Sequence, residues 1–221
     1  MSGERTVLRR DAASGKAKWL VVFLHGLGSN GADLMAFADY WRGAMPDVAF
    51  LAPDAPSVCP DGGYQWMQRL PVGHPRMFDE ADAARGGIDT LIDEELSRLG
   101  LDGTRLALVG FSQGTVMALH VGLRRKETPV AILGYAGGLV GADRLADDMT
   151  SKPPVMLIHG EQDEMVPVYA MMESVKALTD AGLVAAGQAM PGLGHAVNEQ
   201  ALVIGARFIL SAVAYREKHP L

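Results

Sequence analysis

Short apolar runs alternate with helical patterns along almost the whole of this 221-residue chain. Ala17–Leu24, Val48–Ala52, Leu106–Val109, Val130–Ala136, Val155–Ile158 and the stretch around Val184–Met190 each have the length and composition of a buried strand. Thr6–Leu8 predicts a short edge strand. Between the runs, residues from Ala32 to about Met45 place Leu34, Phe37, Ala38 and Trp41 on one helical face. Glu80–Leu99 does the same with Ile88, Leu91, Ile92 and Leu96, and Gly100 ends it. Further helices are predicted over Thr115–Leu123, from about Pro167 to Ala181, and from about Val197 to Tyr215. Strands alternating with helices predict a mostly parallel sheet covered on both faces. No internal repeat, low-complexity tract or linker divides the chain, so one domain over residues 1–221 is expected.

One segment breaks the rhythm. Residues 54–79 are rich in Pro and Gly and have no clear period, yet they carry Tyr64, Trp66, Met67, Leu70, Met77 and Phe78. A loop this long inside a compact domain is uncommon and usually functional. Its apolar content predicts a pocket wall or lid rather than a disordered linker.

Composition narrows the class without fixing it. Hydrophobic residues make up 48% and charged residues 21%, an ordinary globular mixture, and the net charge is −6. The one basic cluster, Arg124-Arg125-Lys126, falls where a helix should end and reads as a complement to the helix dipole. Nucleic acid is not expected as a partner. Cys59 is the only cysteine, so no intrachain disulfide can form. Met1–Arg10 has no apolar stretch of signal-peptide length, and Trp19–Leu24 is too short to span a bilayer. The expectation is a cytoplasmic protein without integral membrane association.

Chemistry enters at Gly110-Phe111-Ser112-Gln113-Gly114, set between a predicted strand and a predicted helix. A Gly-x-Ser-x-Gly in that context is a nucleophile elbow, a turn so tight that it pushes the serine hydroxyl out at the carboxyl edge of a sheet. As an ordinary strand-to-helix turn, it would leave Ser112 a simple cap. A serine hydroxyl is a poor nucleophile without a base, and the base needs a third group to orient it. In sheet hydrolases these follow the serine in the order acid, then histidine. Asp163, in His159-Gly160-Glu161-Gln162-Asp163, lies in the loop after the Val155–Ile158 strand, with Glu161 and Glu164 as rivals. His195, in Gly192-Leu193-Gly194-His195, follows the next strand. His25 and His159 precede glycines at strand ends, His120 is inside a helix, His74 is in the long loop, and His219 is in the tail. His195 alone has the place and the order of the base. Backbone N–H groups of Gln113, after the nucleophile, and of Leu27, after an earlier strand, are the expected donors to an oxyanion.

Gly26-Leu27-Gly28-Ser29-Asn30-Gly31 supports a different reading, because it also matches a dinucleotide-binding fingerprint, with Asp54 as the ribose carboxylate of an NAD(P)-dependent oxidoreductase. That reading leaves the elbow, the Asp163 loop and Gly194-His195 without a use. His159-x-Glu161-x-Asp163 lacks a second histidine at metal-binding spacing, so no metal is expected. Cys59 has no local base and reads as a small buried apolar residue. A non-catalytic binding protein on the same fold is the remaining alternative, and it has no need of three triad positions in order.

With these residues in place the chain resembles the phospholipase/carboxylesterase family of α/β-hydrolases, which includes the acyl-protein thioesterases. The matching motifs are Leu24-His25-Gly26-Leu27-Gly28, Gly110-Phe111-Ser112-Gln113-Gly114, His159-Gly160-Glu161-Gln162-Asp163 with Val166-Pro167, and Gly194-His195. The resemblance implies an α/β-hydrolase fold with little or no separate cap. It also implies hydrolysis of small-molecule esters or thioesters without a cofactor, often as a homodimer. The family tends to carry Trp-Tyr or Trp-Phe after the third strand, whereas this chain reads Gly63-Tyr64-Gln65-Trp66-Met67. Trp66, Met67 and Leu70 are the candidate substrate-binding side chains.

Overall fold

Leu20, Val22 and Leu24 face one apolar cluster, while Trp19, Val21 and Phe23 face another. That alternation is what a strand buried on both faces must show, and it places β2 (Trp19–Leu24) at the centre of the protein. The computed structural model describes residues 6–220. The first five residues, part of the N-terminal stretch expected to lack a leader, lie outside the described residues.

A seven-stranded sheet runs in the order β1-β3-β2-β6-β7-β8-β9. Besides β2 it contains β1 (Val7–Arg10), β3 (Val48–Pro53), β6 (Leu106–Phe111), β7 (Ala131–Tyr135), β8 (Val155–Gly160) and β9 (Ala185–Met190). Only β1, at the edge, pairs antiparallel. Helices α1 (Gly31–Trp41) and α6 (Glu199–Lys218) bury Leu34, Met35, Trp41, Ala201 and Ile209 on one face. Helices α2 (Met77–Leu99), α3 (Gln113–Gly122) and α5 (Tyr169–Asp180) cover the other. From β2 the chain steps outward to β3, then returns to β6 on the opposite side of β2. The connections diverge there, at the carboxyl ends of β2 and β6, which is where open sheets of this kind carry their sites.

Several boundaries differ from the sequence pattern. The 54–79 segment is not a bare loop: β4 (Ser57–Val58) and β5 (Tyr64–Gln65) form a small antiparallel ladder. Helix α2 begins at Met77, before the expected Glu80, and has no side-chain cap to mark its start. Strands β6 and β8 run on through Gly110-Phe111 and His159-Gly160, because pairing with β7 and β9 continues past the apolar run. Residues 145–148 add a one-turn helix, α4, within what reads as a polar connection.

The elbow helix α3 is anchored to α2 by charges. Arg124 donates to the His120 carbonyl at 3.2 Å, as a cation at a helix carboxyl end should. Arg125 instead turns to α2 and pairs with Asp89 and Asp93, a use the dipole argument did not foresee.

His120 is buried between the two helices with its Nε2 3.2 Å from Asp82 Oδ1. Burial, aided by the Arg124 charge, pulls its pKa down to about 4. A histidine with a lowered folded pKa stabilises the fold fully above its unfolded value near 6.5, and that contribution fades as pH falls toward 4. The expected loss over this window is about 3 kcal/mol. Replacing His120 with Met should flatten the fall in melting temperature between pH 6.5 and 4, measured by calorimetry.

Candidate active site

Ser112 joins β6 to α3 with φ 53° and ψ −116°, a backbone conformation that L-residues avoid. The surroundings impose it. A Cβ on Gly110 would strike the Gly114 carbonyl, and one on Gly114 would strike the Leu24 carbonyl oxygen, so strand and helix can approach only through glycine. Ser112 N–H donates to the Tyr135 carbonyl at 2.8 Å. The Thr115 hydroxyl lies 2.9 Å from the Gly110 carbonyl and 2.8 Å from that of Tyr135, tying the turn to β7.

Ser112 Oγ lies 3.0 Å from His195 Nε2, and His195 Nδ1 lies 2.7 Å from Asp163 Oδ2. These three side chains, 83 and 32 residues apart in sequence, form one continuous hydrogen-bonded line. Asp163 is fully buried at its side chain, and three donors bond it. The Met165 and Val166 N–H groups reach Oδ1 at 2.9 Å each. His195 Nδ1 bonds Oδ2, and His159 Nε2 stands 3.2 Å from the same oxygen. A buried carboxylate requires such partners. One oxygen thus shapes the loop before α5, as a turn aspartate should, and the other is free to orient an imidazole. Glu161 and Glu164 are exposed. The Phe111 ring packs 5.0 Å from the His195 ring.

His159 escaped sequence reasoning as a member of this network. Its Nε2 also lies 2.7 Å from the Val166 carbonyl, so the ring closes the turn that carries Asp163. The alternation of His, Glu and Asp is the only signal of it, and without a second histidine at metal-binding spacing it points to no site. Among the described residues, no group of three His, Cys, Asp or Glu side chains gathers as ligands.

Leu27 and Gln113 follow the carboxyl ends of the neighbouring strands β2 and β6. The Leu27 N–H has no acceptor among the described residues. Gln113 is the first residue of α3, where N–H groups lack partners within the helix. Its side chain is fixed as well. Gln113 Oε1 accepts from Trp66 N–H at 2.7 Å, and Nε2 donates to the Met67 carbonyl at 2.9 Å. This amide clamp fastens the 54–79 segment to the elbow.

Trp66 and Met67 are themselves buried, the Trp66 indole N–H donating to the His25 carbonyl at 2.9 Å. Leu70 is half-buried. Cys59 is free and buried. Asp54, the carboxylate that the dinucleotide reading requires, is also buried and accepts from Gly31 N–H at 2.8 Å. The last glycine of that loop serves close backbone packing: a Cβ on Gly31 would meet the Ala52 carbonyl. No helix among the described residues is long and apolar enough to cross a membrane.

A mostly parallel sheet covered on both faces, with a serine on a strained elbow facing a half-buried histidine and a buried aspartate, defines a hydrolase of the α/β-hydrolase fold. Comparison with known proteins places it more closely. The phospholipase/carboxylesterase family profile matches residues 10–212, and the chain belongs to this family of carboxylic ester hydrolases. It is 31% identical over 206 residues to acyl-protein thioesterase 1 of Gibberella zeae, covering 81% of this chain and 85% of that protein. It is 27% identical over 205 residues to carboxylesterase SOBER1 of Arabidopsis thaliana, covering 84% and 87%. The crystal structure of esterase PE8 superposes with a TM-score of 0.89 at 37% identity, over 95% of this chain and all of that one.

Proposed function

We propose that the protein is a serine carboxylesterase working through an acyl-enzyme on Ser112, with His195 as base and Asp163 as its orienting acid. The observation that carries this is the line from Ser112 Oγ through His195 to Asp163, at 3.0 and 2.7 Å. Asp163, an acceptor, holds the proton on His195 Nδ1 and leaves Nε2 bare toward the hydroxyl. Ser112 Oγ attacks the substrate carbonyl while its proton passes to Nε2. The Leu27 and Gln113 N–H groups stabilise the oxyanion, each such donor being worth ~100- to 1,000-fold in rate. The bond to the leaving alcohol or thiol breaks, and His195 returns the proton to it. Water then enters, is deprotonated by His195, and releases the acid and Ser112. No cofactor takes part. Cys59, the only cysteine, gives no argument for an oxidising compartment, and a cytoplasmic setting is the one this reading adopts.

Small-molecule esters are the substrate class this reading favours, with thioesters the second. The Gibberella relative named as a thioesterase supports the latter. A panel of p-nitrophenyl esters and matched thioesters of graded chain length tests both. Activity on neither series, with Ser112 unlabelled by a fluorophosphonate, would end the proposal.

Chain-length preference belongs to the segment that Gln113 clamps. Met67 stands on it beside the elbow, Leu70 lies three residues further along it, and Trp66 holds it against His25. A pocket discriminates by ~1–3 kcal/mol per methylene, so Met67→Ala or Leu70→Ala should move the kcat/KM optimum toward longer acyl groups. An unchanged profile with a lowered melting temperature would reduce these side chains to packing.

A further inference from the structure

We infer that His25, which neither attacks nor touches the reacting atoms, is a positioning residue that aims the Leu27 N–H at the oxyanion. The inference rests on the role proposed above for that N–H. Gly26 C=O and Leu27 N–H are the two ends of one peptide group, and the described residues contain no cis peptide bond. In a planar trans peptide the two groups point in opposite directions, so whatever holds the oxygen also aims the N–H. His25 Nδ1 lies 2.7 Å from the Gly26 oxygen, and the Ser29 N–H donates to the same oxygen at 3.2 Å. The closer contact is the imidazole.

The imidazole is held in turn. Ala55 N–H donates to His25 Nε2 at 2.9 Å. A backbone N–H only donates and a carbonyl only accepts, so both contacts are satisfied by one form alone: neutral, protonated at Nδ1, bare at Nε2. The ring is fully buried, packs 5.3 Å from the Trp66 ring, and cannot swing out without breaking both bonds. On the other side of Leu27, Gly28 N–H donates to the Tyr64 carbonyl at 2.9 Å. The peptide groups on both sides of Leu27 are therefore pinned. A donor acts in the transition state only as far as it is already aimed, because reorienting it during the reaction gives back the gain. His25 thus links the 54–79 segment, through Ala55, to the rate of the chemical step.

Two variants separate the imidazole's two contacts. The amide nitrogen of His25→Asn can stand where Nδ1 stands and keep a donor on Gly26. The amide of His25→Gln reaches the Nε2 position and can accept from Ala55 while abandoning Gly26. His25→Gln should lower kcat by about 10- to 100-fold with KM nearly unchanged, below the loss expected for deleting a donor outright. It should weaken a boronic acid inhibitor, whose tetrahedral adduct on Ser112 occupies the hole, by a similar factor. His25→Asn should retain most of kcat. Full turnover in His25→Gln, or equal losses in both variants that follow their melting temperatures, would overturn the inference. In the unmodified enzyme, long-range proton–nitrogen correlation of the histidine rings should find Nδ1 protonated at His25, and a protonated Nε2 would overturn it without any variant. Replacing the Leu27 amide by an ester deletes the N–H. If that change leaves kcat intact, the oxyanion assignment itself fails and this inference falls with it. If the ester is crippled while His25→Gln is fully active, only the role of His25 is lost.

Discussion

Ser112→Ala is expected to lower kcat by about 10⁶-fold, the scale on which a serine protease responds to loss of its nucleophile. The fold should survive. Ser112 N–H keeps its bond to the Tyr135 carbonyl, and alanine meets the same backbone constraint as serine. The hydroxyl loses only its contact with His195, which is 19% exposed at its side chain and can be reached by water. A melting temperature near that of the parent protein, together with vanished turnover, therefore separates chemistry from stability. Mass spectrometry after fluorophosphonate treatment should find the adduct on the peptide containing Ser112. An adduct on another serine would send the nucleophile assignment elsewhere.

Asp163→Asn should cost ~10⁴-fold in kcat, the loss seen when the corresponding aspartate of a serine protease is made neutral. The cause can be traced through the donors around Asp163. Its Oδ1 accepts from the Met165 and Val166 N–H groups, so an asparagine must keep its oxygen there. Its amide nitrogen then faces His195 Nδ1 and His159 Nε2. His195 can accept that N–H only by moving its own proton to Nε2, where it points at Ser112 and can no longer take the serine proton. Steady-state kinetics on a reactive ester would read the loss. Glu161→Gln and Glu164→Gln, on exposed side chains, should leave kcat close to the parent value. If either of them were the crippling change and Asp163→Asn mild, the acid would have to be reassigned.

The sheet was legible because buried parallel strands leave unbroken apolar runs, and each functional loop begins where such a run stops. Ser112, Asp163 and His195 could be placed in order for the same reason: each stands just beyond a strand end. What stayed hidden depends on partners far apart in sequence. The Gln113 amide grips Trp66 and Met67 from 47 and 46 residues away. The second histidine at Asp163 sits inside a strand, where only the β8–β9 pairing reveals it as part of a turn-closing network. The β4–β5 ladder is two residues on each side, too short for any period to register. Asp54 kept its apparent match to a nucleotide carboxylate until its bond to the Gly31 N–H was visible.

The unusual backbone at Ser112 carries a consequence for anyone who would engineer this enzyme. A non-glycine residue at φ 53° and ψ −116° costs on the order of 1–3 kcal/mol of folding free energy. Glycine would sit there with far less strain. At this one position, heat resistance and turnover pull in opposite directions. A library screened for thermal survival alone would thus reward the substitution that removes the hydroxyl on which the proposed reaction depends. Directed evolution toward a hardier catalyst therefore needs a turnover screen in every round, or its fittest product will be an inert fold.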